Sequence, residues 1–133
     1  IMSKSAIYTV NTAAPTVAVN GTIPLGNTVR RYGACIRQDG DAITICGKGY
    51  YLVTASVTAS PTAAGNVTVS LLKDGVAVPG ATGTATVAAA GTADITIACI
   101  VRNICDCGGS QLSLALTGTA SVIDNAAVTV TKL

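Results

Sequence analysis

Hydrophobic and polar residues alternate along most of the chain. Between residues 51 and 59 every second residue is apolar, and Thr or Ser fills most of the positions between them. Successive side chains of a β-strand point to opposite faces, so this alternation predicts a half-buried strand. The same pattern recurs at 67–71, 95–101, 112–116 and 126–130.

Shorter runs and turn residues fill the remainder. Further strand candidates are 6–10, 16–19, 28–31, 34–37, 42–46, 76–78 and 81–87. Lys73-Asp74-Gly75 predicts a hairpin turn, because Gly tolerates the positive φ that tight hairpins require. Roughly ten short strands with regular turns and no helix are typical of a β-sandwich, jelly roll or barrel.

Composition supports strands over helices and a single domain. The 133 residues fit one domain, 1–133, whose first part (1–20) forms an N-terminal strand and arm. The chain has no Phe and no Trp, so its apolar residues are chiefly Val, Ile, Leu and Ala. All six acidic residues are Asp, which favours turns, whereas surface helices rely on Glu.

The residue types that most enzymes use are missing. The chain contains neither His nor Glu, which removes the usual general base and leaves Asp alone for paired carboxylates. Asp39 and Asp41 flank Gly40 at a predicted hairpin tip, where solvated turn residues are expected. No phosphate-binding loop or nucleophile elbow occurs. We therefore expect a protein that is not an enzyme and has no cofactor and no metal.

Charge and hydropathy argue against nucleic acids and membranes as partners. Net charge is +2, and the eight basic residues are spread along the sequence without a basic stripe that alternates with aromatics. This predicts no nucleic-acid binding. No run approaches the roughly 18 apolar residues of a membrane helix, so no membrane insertion is expected.

The five cysteines leave more than one interpretation open. A zinc site built from thiolates alone is possible in principle, but the spacing is not that of a zinc knuckle or ribbon. Small buried thiols and loop disulfides are the other two interpretations, and sequence does not decide the pairing. The residues concerned are Cys35, Cys46, Cys99, Cys105 and Cys107.

Two segments resemble the jelly rolls of the tumour necrosis factor and complement type. The stretch 43–57 has a short strand, then Gly49-Tyr50-Tyr51, then an alternating strand. The stretch 64–80 looks like the following hairpin of bacterial and phage members, including the heads of spore-surface collagen-like proteins. Blocks at 2–11, 30–40 and 46–51 are similar to small proteins of gut Firmicutes and their prophages. The resemblance implies a tumour necrosis factor-like jelly-roll sandwich that assembles as a compact homotrimer.

The apolar pattern also suggests an interface. Leu52, Leu72 and Ile100 fall on what should be the solvent side of their strands. Large exposed apolar patches mark interfaces, although a second sheet or a loop would also cover these residues. The candidate interface comprises Tyr51, Leu52, Leu72, Ile100, Leu114 and Leu116.

From this we expect a non-catalytic structural protein, a trimeric jelly roll of a phage or prophage particle that serves as capsid decoration or fibre head. Its partners would be further copies of itself and capsid proteins. The alternative is a head on a bacterial cell or spore surface that acts as an adhesin and binds a surface glycan.

Overall fold

A computed structural model describes residues 5–33, 36–88, 91–103 and 109–133. These residues form eleven β-strands and no helix. In chain order the strands are β1 (Ala6–Asn11), β2 (Thr16–Val17), β3 (Asn27–Tyr32), β4 (Ile36–Asp39), β5 (Ala42–Ile45), β6 (Gly49–Pro61), β7 (Gly65–Lys73), β8 (Val76–Val87), β9 (Ala93–Asn103), β10 (Ser110–Gly118) and β11 (Ser121–Lys132).

The strands form two antiparallel sheets that pack face to face. Sheet A has the order β3-β1-β11-β6-β9, and β2 pairs with one end of β11. Sheet B has the order β4-β5-β10-β7-β8. Most neighbours in a sheet are distant in sequence, so the chain crosses repeatedly between the sheets. This is the predicted jelly-roll sandwich, and the all-β fold class is confirmed.

The core lies between the sheets and follows the alternation in the sequence. The inward residues of β6 are Tyr51, Val53, Ala55, Val57 and Ala59, and each is at most 3% exposed. The predicted apolar faces of β7, β9, β10 and β11 also point inward. Burying each Val, Leu or Ile side chain contributes roughly 1.5–3 kcal/mol, so this shared core is the main source of stability.

Three of the six predicted interface residues belong to this core. Tyr51, Leu114 and Leu116 are 0%, 1% and 0% exposed within the single subunit. A side chain that its own subunit already encloses offers no surface to a second one. The interface prediction is therefore corrected for these three residues.

Strand bounds depart from the sequence pattern at one notable place. Segments 76–78 and 81–87 were expected to be separate, but they form the single strand β8 through Pro79 and Gly80. The strand tolerates Pro79 because β8 is the edge of sheet B, where a missing N–H need not break a ladder. The register against β7 shifts near this point, between Ser70 and Leu72.

Candidate functional site

Large apolar side chains are exposed together on the outward face of sheet A. Strand register places Tyr32, Ala6, Thr131, Leu52 and Ile100 in one row across the sheet. Tyr8 lies in the next row on one side, and Tyr50 follows on the other. We call the five large residues the apolar patch: Tyr8, Tyr32, Tyr50, Leu52 and Ile100.

The apolar patch is well exposed in the single subunit. Exposed fractions are 38% for Leu52 and 58% for both Ile100 and Tyr32. The guanidinium of Arg102 lies over the Tyr50 ring, 5.7 Å from its centroid. Ala6 and Thr131 lie between Tyr32 and Leu52, whereas Leu52 and Ile100 are direct neighbours. The sequence predicted Leu52 and Ile100 but not the three tyrosines. Tyr8 and Tyr32 lie in six-residue strands without clear apolar alternation, and the hydroxyl of Tyr50, opposite Tyr51 on β6, also suits a solvent-facing position.

Leu72, the remaining predicted residue, lies elsewhere. It is half-buried on β7 in sheet B, where its neighbours in register are Ser113 and Ala77. The structure therefore brings Leu52 and Ile100 together in one cross-strand pair and leaves Leu72 in the other sheet.

Away from its turn, the outward face of the β7–β8 hairpin in sheet B is polar, whereas Val76 beside the turn is 69% exposed. Three cross-strand pairs are joined by side-chain hydrogen bonds. The pairs are Thr68 with Thr84 at 3.0 Å, Thr82 with Ser70 at 3.2 Å, and Thr86 with Asn66 at 2.7 Å. This ladder satisfies its own polar groups and faces solvent.

Basic residues that are spread along the sequence are gathered at one end of the sandwich. This basic end is where β6 begins and where β3, β9 and β11 finish. Near it lie Arg30, Arg31, Arg37, Lys48, Lys73, Arg102 and Lys132, together with Asp39, which pairs with Arg37, and Asp74. At the opposite end, about 27 Å from Arg102 along β9, the described charges are Asp94 and Asp124. The apolar patch lies towards the basic end.

A groove runs along the edge beside the patch. It has a volume of about 540 Å³ and lies between the β7–β8 hairpin and the last residues of β9. Its lining includes Asp74, Val76, Val78, Pro79, Ile100 and Arg102. We call it the edge groove. Ile100 belongs to both the edge groove and the apolar patch, so the two surfaces are continuous.

The surroundings of Asp39 and Cys99 favour a structural role for both side chains over a reactive one. The Asp39 carboxylate accepts hydrogen bonds from the Thr44 hydroxyl at 2.6 Å and from Arg37 Nε at 3.1 Å. The Thr44 hydrogen bond and then the Arg37 charge lower the pKa of Asp39, which suits a structural ion pair better than proton transfer. Cys99 is a free thiol packed against the core, and burial raises its pKa. A raised pKa disfavours the reactive thiolate.

The zinc alternative for the cysteines gains no support from the residues that are placed. Within the described ranges no three Cys or Asp side chains approach closely enough to share a metal ion. Cys46 is half-buried after β5, while Cys35, Cys105 and Cys107 lie outside the described residues. None of the described residues forms a helix with the length and apolar character needed to cross a membrane.

Sheet order and connections define a jelly roll of the tumour necrosis factor and complement type, and solved structures share it. The globular domain of zebrafish complement 1qA protein superposes with a TM-score of 0.71 at 7% identity, covering 96% of this chain and 95% of that one. Murine APRIL gives 0.70 at 13% identity, covering 98% and 99%. PRD1 vertex protein P5 gives 0.66 at 14% identity, covering 97% and 96%. No family model and no curated protein matches the sequence.

Proposed function

We propose that this chain is a non-catalytic structural subunit that forms a homotrimer through the outward face of sheet A. It would serve on a phage or prophage particle as capsid decoration or as a fibre head. The observation that carries the proposal is the apolar patch. Five large side chains are exposed on one sheet face, while the part of the β7–β8 hairpin away from its turn is polar and self-bonded. Such a patch normally marks an interface.

The position of the apolar patch favours parallel packing of the copies. In an antiparallel pair, the basic end of one copy would face Asp94 and Asp124 of the other, and exposed charge pairs contribute at most about 1 kcal/mol each. The apolar patch would then rest on Thr and Ser. Parallel packing instead places patch against patch, and burial of one Leu or Ile contributes roughly 1.5–3 kcal/mol. The apolar contribution is the larger, and it fits the trimer that the family resemblance implies.

Self-association through this face is tested by paired substitutions. Leu52→Asp with Ile100→Asp places two carboxylates in the proposed interface, and we expect at least about a 100-fold weaker association. Light scattering across a concentration series gives the mass of each form. The matched control is Thr68→Asp with Thr84→Asp, which places the same charges on the polar face of sheet B.

The control should keep the native assembly, and circular dichroism should show both variants folded. If the two pairs of substitutions weaken association equally, or if neither does, this face is not the interface. A dimer that is instead sensitive to changes at Asp94 and Asp124 would indicate antiparallel packing.

The location on a particle needs a separate experiment. Antibody against the chain should detect it in purified phage or induced prophage particles, and gold labelling should place it on their outer surface. The fold it shares with a vertex protein, PRD1 P5, supports this expectation. Detection on cells or spores and not on particles, together with retention on a glycan array, would favour the surface-adhesin alternative.

A further inference from the structure

The edge groove is the open half of a seam between the two sheets. This seam runs between β8, the last strand of sheet B, and β9, the last strand of sheet A. At Gly83 the two strands are in close contact, because a Cβ there would lie 2.5 Å from Ile95 Cγ2. Towards the β7–β8 turn, Val78 is only partly buried against the core and Val76 is 69% exposed. The sheets therefore leave a groove of about 540 Å³ at this end, a volume within the range of small-molecule sites.

Two cationic side chains line the edge groove. Lys73 comes two residues after the buried Leu71, so its side chain leaves β7 on the inner side, towards the space between the sheets. It is half-buried and lies opposite Val76 in register. Arg102 reaches the groove from β9, and its guanidinium is stacked on the Tyr50 ring. Stacking covers one face of the guanidinium plane and leaves the N–H donors at its edge for an anion.

The charges around the edge groove do not cancel. Among the described residues neither Lys73 nor Arg102 belongs to an ion pair. The third charged residue of the lining is Asp74, whose carboxylate accepts the backbone N–H of Gln111 at 2.9 Å and is thereby held in place. Two cations and one carboxylate leave a net positive charge beside walls that are mostly aliphatic. This combination is complementary to a molecule with an anionic head and an apolar body.

We propose that the edge groove binds a single-chain anionic amphiphile from solution, of the class of medium-chain carboxylic acids. The carboxylate lies between Lys73 and Arg102 and accepts charge-assisted hydrogen bonds from both. The alkyl chain lies along Val76, Val78 and Ile100, where burial of its methylenes drives binding. All these residues belong to one subunit, so the site goes beyond the proposed function and does not depend on self-association.

An extended peptide is the other kind of ligand that an open sheet edge attracts. Pro79 lies in the groove lining and has no backbone N–H to donate. The register of β8 against β7 also shifts close to it. Together these features interrupt the regular edge that strand addition requires. An alkyl chain needs no hydrogen-bond partners, so the irregular edge does not hinder it.

The test is a nuclear magnetic resonance titration of the native chain with sodium octanoate. Backbone amide signals of residues 73–78 and 100–102 should shift along one saturating curve, and those of β3 should not. Decanoate should bind more tightly than octanoate, by up to about fourfold for each added methylene. Octanol, which has the same chain length without the charge, should bind roughly tenfold more weakly than octanoate.

Substitutions separate the charges of the groove from its apolar walls. Lys73→Gln and Arg102→Gln should each weaken octanoate binding by roughly fivefold, because each removes a charged donor. Asp74→Asn should strengthen it by roughly threefold, since it removes a like charge. Asn tolerates the positive φ of this position and keeps an acceptor for the Gln111 N–H. Val76→Asp should weaken binding at least about 30-fold, because it places a carboxylate in the apolar wall.

Two matched controls make the same replacements at exposed residues outside the groove. They are Arg30→Gln on β3 and Val19→Asp in the turn after β2, and neither should change octanoate binding. Lack of saturable shifts at millimolar octanoate would overturn the inference, as would shifts confined to Tyr8 and Tyr32 of the apolar patch. Equal weakening by Val76→Asp and Val19→Asp would overturn it as well.

Sedimentation of the same samples keeps this inference distinct from the proposed function. A native chain that binds octanoate at residues 73–78 and 100–102 while it stays monomeric would support the ligand site and contradict self-association. A native chain that assembles but gives no saturable octanoate shifts would contradict the ligand site and leave self-association standing.

Discussion

The outward faces of the two sheets differ in how their side chains are satisfied. On the β7–β8 hairpin of sheet B, Thr, Ser and Asn side chains bond one another across the strands. On sheet A the corresponding surface near the basic end carries Tyr8, Leu52 and Ile100, which have apolar surface left over. In both sheets, the outward residues alternate along each strand with inward residues that pack in the same core. The difference agrees with the proposed function, in which sheet B faces water and sheet A contacts another copy.

This contrast also separates the two sources of stability in the proposed assembly. Inward side chains stabilise each subunit whether or not it associates. The apolar patch contributes little to the single subunit and acts only when a second surface covers it. Substitutions on the two sides of one strand should therefore affect different measurements.

The largest effect is expected where a leucine is enclosed by its own subunit. Leu116→Ala should lower the free energy of unfolding by about 2–5 kcal/mol, because it leaves a cavity in the core. Leu52→Ala should cost about 1 kcal/mol or less, since its side chain faces outward. Urea denaturation of dilute protein measures both values. Equal costs would contradict the division between core and patch.

Two adjacent tyrosines sharpen the comparison on a single strand. The Tyr51 hydroxyl donates to the Gly47 carbonyl at 2.6 Å in the interior, whereas Tyr50 is exposed beneath Arg102. Tyr51→Phe should destabilise the subunit by about 1 kcal/mol through the lost hydrogen bond. Tyr50→Phe keeps the ring and should leave thermal unfolding unchanged. A reversed order of the two effects would show that the inward and outward faces have been misassigned.

Each side-chain hydrogen bond of the polar ladder on sheet B should contribute little to stability. Thr84→Val removes the hydrogen bond to Thr68 and should change stability by about 0.5 kcal/mol or less, because both hydroxyls are exposed and water replaces the lost partner. It should not alter the sedimentation of the assembly. Dissociation of the assembly by this substitution would mean that sheet B also forms an interface.

A smaller, pH-dependent effect belongs to the turn between β4 and β5. The pKa of Asp39 is lowered in the folded state by Thr44 and Arg37. Its contribution is therefore present above the unfolded pKa near 3.8 and is lost as pH falls through the lower folded value. Asp39→Asn should flatten the acid side of the stability profile slightly, as measured by urea denaturation at a series of pH values. An unchanged profile in this variant would remove this assignment.

Much of the fold was predictable because it depends on a local period. Alternation at 51–59, 95–101 and 112–116 identified strands and the residues that share a face, and the inward residues of β6 agree with it. The turn at Asp74 and Gly75 was equally predictable, since both residues adopt positive φ there. Local chemistry decides such features without help from the remainder of the chain.

The candidate site was predictable only in part because it depends on register. The period of two shows that Leu114 and Leu116 share a face, but not that this face is inward. Tyr32, Leu52 and Ile100 come from β3, β6 and β9, and only the ladders through β1 and β11 bring them into one row. The gathering of basic residues at one end also depends on strand register. Separation along the sequence does not give a residue's position along the strands of the sandwich.

The most direct test of the central claim is the mass of the native chain in solution. Sedimentation equilibrium at micromolar concentration and moderate salt should give three times the subunit mass of 13.1 kDa. The assembly should dissociate on dilution without unfolding. A mass of one subunit across the whole concentration range would contradict the account, because the apolar patch on sheet A would then have no copy to cover it.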